Sequence, residues 1–372
     1  MDGQISCRVH TVFDGYAGWR YQGRTYRLAC GAVTVQAPNG DLLCGWMTGS
    51  DTEPADDHIY VYARSADAGK TWSEPQVLVD AGDGNAAACL YVVGGRLFAL
   101  CARWNGRYTV WKWTRRESRD NGRTWTDELP ITLLEGDGLS SSFGDLIRTS
   151  SGELLGSGTF FRRRAVPLTA GVERLIYAKS EEEAAAMAPI RPGETPPTDL
   201  DEYSYGAFCF GATEDLSRFT PYGRVADRPL GLLEETLIEL RDGRLSMLMR
   251  AEWGGFLWRS DSRDGGRSWC AAYPTDIPNP SSLARLIRLP DGHIALFHNP
   301  TGGVPGQRGD RDRLAVWLSE DEMQSWSVRK DLIVGGYLSY PSPLILHDGT
   351  LAFSFDRDRR KAEYVEVDRQ SD

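Results

Sequence analysis

The chain has 372 residues, 41% of them apolar and 25% charged, and carries a formal net charge of −10. That length is ample to bury a core, and the apolar share is ordinary for a globular protein. The negative balance argues against nucleic acid or an anionic membrane as partner, so attraction of an anionic substrate would require a local basic pocket.

The N-terminal run Met1-Asp2-Gly3-Gln4-Ile5-Ser6-Cys7-Arg8 lacks the basic and apolar regions of a signal peptide, and no window approaches the apolar length of a membrane span. Cys7, Cys30, Cys44, Cys89, Cys101, Cys209 and Cys270 are odd in number, form no C-x-x-C and sit mostly in apolar runs. Buried free thiols and a cytoplasmic location are the expectation. His10, His58, His293, His298 and His347 are scattered, which offers no metal-ligand spacing. Neither metal nor cofactor is expected.

Two repeats run along the chain. The first, S-x-D-x-G-x-x-W, begins at Ser65 (Asp67, Gly69, Trp72), Ser118 (Asp120, Gly122, Trp125) and Ser262 (Asp264, Gly266, Trp269). A decayed copy at Ser319, Asp321 and Trp326 has Met323 in the glycine position. The pattern predicts a turn between two outer strands, with Ser and Asp bonding turn amides, Gly at positive φ and Trp packed between sheets. The second repeat is a short glycine turn before an apolar strand, centred on Gly40, Gly95, Gly152, Gly243, Gly292 and Gly349, with spacings of 55, 57, 91, 49 and 57. The runs Ile59-Tyr60-Val61-Tyr62 and Leu314-Ala315-Val316-Trp317 read as strands. Six units of this period predict an all-β, six-bladed β-propeller occupying residues 1–372 as one domain. The strand near Ile5 to Phe13 is expected to complete the last blade. The long spacing predicts an insertion in the third blade, about residues 162–205. Within it, Ser180 to Met187 reads as a short capped helix and Pro189 to Pro197 as a loop.

Chemistry in a propeller is expected where the inner strands converge on the axis. Five segments qualify. Tyr26-Arg27-Leu28-Ala29 is followed by Cys30-Gly31-Ala32. The stretch Gly49 to His58 contains Asp51, Glu53, Asp56 and Asp57, acids close enough to raise one another's pKa. Glu234-Glu235-Thr236 opens a hairpin that closes on Arg250. Arg311-Asp312-Arg313-Leu314-Ala315-Val316-Trp317-Leu318-Ser319 follows Phe297-His298-Asn299-Pro300, and Tyr340-Pro341-Ser342 precedes the last glycine turn. Trp46, Trp104 and Trp253 lie outside the repeats, where they could line a sugar pocket or the core.

Together these segments and the Asp-box repeats resemble the sialidase (neuraminidase) superfamily. The resemblance implies that Tyr340 is the nucleophile, with Tyr337 as fallback, and that Glu234, or Glu235 by displacement, activates it. It implies that Arg250 and Arg311, rather than Arg313, bind the substrate carboxylate, with Arg27 as third arginine. It places the general acid at Asp51 or Glu53, with Asp57 also possible and His58 a modulator. Gly31 stands where a subgroup of Asp-box propellers has His. A neutral phenol suits an anomeric carbon that bears its own carboxylate, and a phenol needs a base beside it. Planar guanidinium groups suit carboxylate binding. The activity implied is an exo-glycosidase of sialidase type acting on a terminal acidic sugar. The alternatives are a hydrolase or lyase for a uronate or keto-deoxy sugar, and a non-catalytic carbohydrate-binding propeller.

Overall fold

A computed structural model of the chain describes residues 5–51, 57–82, 84–104, 112–133, 140–161, 205–226, 231–251, 255–304 and 309–369. Among these, the strands form six sheets of four or five antiparallel strands plus one small hairpin, Trp19–Tyr21 with Arg24–Tyr26; one edge strand, Thr132–Leu133, adds in parallel to the third sheet. The sheets are the blades of a six-bladed propeller. Their innermost strands are Cys30–Gln36, Asn85–Val93, Ser140–Arg148, Leu232–Glu239, Arg285–Arg288 and Leu338–Ile345. Each innermost strand contacts the next around the ring, and the sixth contacts the first.

Closure follows the expected route. Ile5–Asp14 pairs antiparallel with Lys361–Arg369 and becomes the outer strand of blade 6. The expected insertion falls between the second and third strands of blade 3 (Leu154–Phe161 and Tyr205–Ala212). Its residues 162–204, including the expected helix and proline-rich loop, lie outside the described residues. No helix among the described residues is long and apolar enough to cross a membrane.

Stacking of blades on both faces explains the strand compositions. The second strands Leu42–Thr48, Leu245–Ala251 and Ile294–His298 are buried at every position, so they read as continuous apolar runs and not as alternating ones. The core is correspondingly divided into clusters between neighbouring blades. Trp46 is fully buried there, 5.1 Å from Phe13 ring to ring, so it is a core residue and lines no pocket. Trp253 lies outside the described residues, as does the Trp104 side chain.

The S-x-D-x-G-x-x-W turns are built as their residues dictate. In the first, the Ser65 hydroxyl donates to Asp67 (2.7 Å) and accepts the Gly69 amide (2.8 Å), while Asp67 accepts the Thr71 amide (2.9 Å). Gly69 has φ +89°, and a Cβ there would lie 2.2 Å from the Tyr364 ring of the preceding blade. The glycine therefore answers both a backbone need and a close approach. Met323 in the decayed copy still adopts φ +64°, and its buried side chain packs with Leu248 and Leu257 of the preceding blade. Blade 3 carries a fifth version that the sequence pattern missed. Thr213 donates to Asp215 (2.8 Å) and Leu216 takes φ +51°, without the glycine or tryptophan that mark the motif.

Candidate active site

Four innermost strands carry the same irregularity. Pairing with the second strand skips two residues between Cys30 and Val33, Phe143 and Leu146, Leu233 and Thr236, and Ser339 and Ser342. In three of them the first skipped residue has positive φ: Gly31 +65°, Glu234 +47° and Tyr340 +56°. Ser281, just before the innermost strand of blade 5, has φ +61°. Such bulges re-aim side chains, and non-glycine residues held there carry strain typical of functional sites. Gly31 has the conformation at lower cost, and a Cβ on it would meet nothing within 4 Å.

The bulges bring the sequence candidates from blades 4 to 6 together. The Tyr340 hydroxyl donates to Glu234 Oε1 at 3.0 Å. Arg250 Nη1 donates to the other carboxylate oxygen, Oε2, at 2.6 Å, and its Nε to Ser281 Oγ at 3.0 Å. Arg311 Nη2 donates to the Ser281 carbonyl at 2.5 Å and Nη1 to Ser339 Oγ at 3.2 Å. Both guanidinium groups are less than a tenth exposed. Burial alone would raise the Glu234 carboxyl, but Arg250, then Arg311 and the Tyr340 hydroxyl, outweigh it and hold Glu234 below the ordinary value. Burial and then the Glu234 charge push the Tyr340 phenol well above its ordinary value, although Arg359 and Arg250 pull the other way. The pair at rest is a neutral phenol hydrogen-bonded to a carboxylate.

The bulge also separates the two adjacent glutamates. Glu235 turns away from Tyr340 into the junction of blades 3 and 4 and is 1% exposed. It accepts the Thr159 hydroxyl at 2.9 Å, and the same oxygen of Thr159 accepts the Glu234 amide at 2.9 Å. Behind it, Arg285 pairs with Asp145 at 3.1 Å and donates to the Glu235 carbonyl at 2.8 Å. Burial raises the Glu235 carboxyl to about 7, with Asp145 adding to the rise and Thr159 and Arg285 opposing it. Its unfolded value is 4.5, so the folded state holds the extra proton between 4.5 and about 7. The stability this confers is complete below 4.5 and is lost as pH rises through 7. Glu235→Gln is therefore expected to flatten the pH dependence of urea stability in that window. It should gain about 3 kcal/mol relative to the wild type above pH 7. An unchanged slope would show that Glu235 is ionised throughout.

The remaining candidates sit elsewhere. Arg27 is exposed, with its backbone amide on the Gly49 carbonyl and its side chain beside Gly18, and it shares no hydrogen bond or ion pair with the Glu234 cluster. Asp51 has a 61% exposed side chain paired with Arg360 at 3.2 Å, on the rim. Glu53 lies outside the described residues. Asp57 is turned inward, accepting the Ser50 amide at 3.1 Å and lying 3.9 Å from buried His58. Arg313 pairs with Asp312 and Asp331 at the surface, and Tyr337 is exposed with the Arg311 guanidinium 5.2 Å from its ring centroid.

One cation at the site escaped the sequence pattern. Arg359, in the turn between the second and third strands of blade 6, places its guanidinium carbon 5.1 Å from the Tyr340 ring centroid. The run Arg357-Asp358-Arg359-Arg360-Lys361 between two apolar strands was its available signal. Among the described residues no group of three or more His, Cys, Asp or Glu side chains is disposed to hold a metal ion.

Comparison with known proteins agrees with this architecture. A sialidase from Micromonospora viridifaciens is 25% identical over 353 residues, covering 89% of this chain and 50% of the relative, so the chain spans half the length of that curated protein. The structure of a Hadza microbial sialidase superposes with a TM-score of 0.69 at 15% identity, covering 92% of this chain and 66% of the other. An α-L-arabinanase from Penicillium chrysogenum gives 0.62 at 16% identity and covers 97% of both chains. These structural likenesses establish the propeller fold. Residues 40–353 match the family model described as the BNR repeat-like domain, and the chain belongs to that family.

Proposed function

We propose that the chain is an exo-acting glycosidase of sialidase type that hydrolyses a terminal sialic acid or a related carboxylated sugar. The observation that carries this reading is the Tyr340–Glu234 hydrogen bond of 3.0 Å beside two buried arginines. Tyr340 attacks the anomeric carbon and its proton passes to Glu234. The glycosidic bond breaks as an acid from the 51–57 loop, Asp51 or Glu53 in the first instance and Asp57 by its inward setting, protonates the leaving oxygen. Water then attacks the anomeric carbon, giving its proton back to the same loop carboxylate, while the tyrosyl-sugar bond breaks and Tyr340 recovers its proton from Glu234. Arg250 and Arg311 clamp the carboxylate of the sugar by charge-assisted hydrogen bonds.

A uronate or keto-deoxy sugar is a second reading, favoured by Arg27, which is exposed and shares no hydrogen bond or ion pair with the Glu234 cluster, so that the clamp of Arg250 and Arg311 stands without the third arginine of the sialidase pattern. The structurally similar arabinanase raises a neutral pentose as the contrasting case. A panel of fluorogenic glycosides decides among them: an α-N-acetylneuraminide, a keto-deoxy glycoside, a uronide and an α-L-arabinofuranoside. Release is expected from a carboxylated member only. Release from the arabinofuranoside alone, or from none by folded protein, would sink the proposal.

A further inference from the structure

The turn Arg357 to Arg360 is held in an unfavourable shape from several directions. Asp358 and Arg359 both have positive φ, +56° and +54°. The Asp358 amide donates to the Tyr337 carbonyl at 2.7 Å, and its carboxylate accepts the Tyr337 amide at 2.7 Å. The Ala29 amide donates to the Arg359 carbonyl at 3.0 Å, and the Gly15 amide to the Arg360 carbonyl at 2.7 Å. The two positive φ values are those of a tight hairpin turn closed by the Arg360 amide on the Arg357 carbonyl (2.9 Å), a shape that costs a residue such as Arg359 more than it would a glycine. The outcome of this bracing is the position of one side chain. The Arg359 guanidinium lies over the Tyr340 ring, contacts Cys30 Sγ and stands 3.8 Å from Asp356, which is fully buried and accepts the Gly31 amide at 3.1 Å. Tyr340 is thus held at its hydroxyl by Glu234 and at its ring face by a cation.

We infer that Arg359 is a positioning residue for Tyr340, fixing the ring by its face and supplying the positive charge that stabilises the phenolate as its proton passes to Glu234. This rests on the proposed function only in so far as Tyr340 is the nucleophile. A cation within about 6 Å of a ring centroid attracts the π face, and its charge acts on the oxygen through the same ring. The groups facing the phenol are Glu234, Arg250, Arg359 and Cys30, so Arg359 opposes the Glu234 charge from the other side. It acts through Tyr340 and needs no contact with substrate.

The test uses the full chain with a polyfluorinated tyrosine at position 340, whose more acidic phenol titrates within the native range and reports by fluorine NMR. Arg359→Ala is expected to raise the midpoint by about one pH unit, with Arg359→Lys restoring part of the shift. If Arg359→Ala disturbs the turn, Arg359→Met keeps the stem and supplies the same comparison. An unchanged midpoint in the neutral variants overturns the inference. On the unmodified chain, Arg359→Ala is expected to lower kcat about tenfold with KM within about twofold. A raised KM at unchanged kcat would make Arg359 a substrate contact and overturn it too. The fluorine titration reads out even where no glycoside on the panel is cleaved, so failure of the glycosidase reading and failure of this one are separable.

Discussion

Tyr340→Phe is expected to lower kcat by about a thousandfold or more on whichever carboxylated glycoside the wild type cleaves, with little change in melting temperature. The substitution removes one oxygen and nothing else. The ring stays under the Arg359 guanidinium, and Glu234 keeps its 2.6 Å partner Arg250, so no buried charge is stranded. A folded variant retaining more than about a tenth of wild-type kcat would exclude Tyr340 as the nucleophile. Trapping of the wild type by a slow, fluorinated substrate should place the sugar on Tyr340.

Arg311→Ala is expected to raise KM for the acidic sugar about a hundredfold, corresponding to about 3 kcal/mol, the upper range for hydrogen bonds to a charged group. Arg311 is the cleaner probe of the clamp because its protein partners are neutral, the Ser281 carbonyl and the Ser339 hydroxyl. Removing Arg250 instead would leave the partly buried Glu234 charge without its ion-pair partner, a loss of stability that would confuse the reading. A sign follows for pH dependence. Arg311 helps hold the Glu234 carboxyl below its ordinary value, and the base must be ionised to act. Losing Arg311 should therefore move the acid limb of the kcat/KM profile to higher pH. An Arg311→Ala variant with wild-type KM on the acidic sugar would remove Arg311 from the clamp.

The ring and its blade count were legible because the backbone imposes glycine at fixed places. Gly40, Gly95, Gly152, Gly243, Gly292 and Gly349 all take positive φ, and all but Gly292 have open space around them, so the demand is conformational and recurs in every blade. The Glu234, Arg250, Arg311 and Tyr340 segments were picked out by their resemblance to sialidase segments, and the structure brings the four side chains around Ser281 and the Tyr340–Glu234 pair. What the sequence hid is set by tertiary geometry. The choice between Glu234 and Glu235 depends on a bulge that sends neighbours to opposite sides. The distinction between Arg311 and Arg313 is one of side-chain direction, and pleating alone favours neither. Arg27 sits in a Tyr-Arg run that suggests the site, yet its side chain is exposed and forms no hydrogen bond or ion pair with the Glu234 cluster. Arg359 comes from an opposite part of the chain, through a turn whose unusual dihedrals no local residue preference announces.

The pairing of the first strand with the last has a consequence for how the molecule is made. Arg8 and Asp368 are 360 positions apart and hydrogen-bonded at 3.1 Å. During synthesis the first strand must wait for nearly all of the remaining chain before it finds its partner. Blades 1 to 5 can assemble as they emerge, since each sheet is contiguous in sequence. The ring, and with it the junction where the Arg359 carbonyl and Asp356 carboxylate of blade 6 accept the Ala29 and Gly31 amides beside blade 1, closes only when the last strand arrives. Contacts of such long sequence separation are the slow ones in folding. The geometry of the Tyr340 cluster is thereby tied to completion of the whole circle, and the seam between the first and last strands is the place where a partly made or partly opened molecule would lose it.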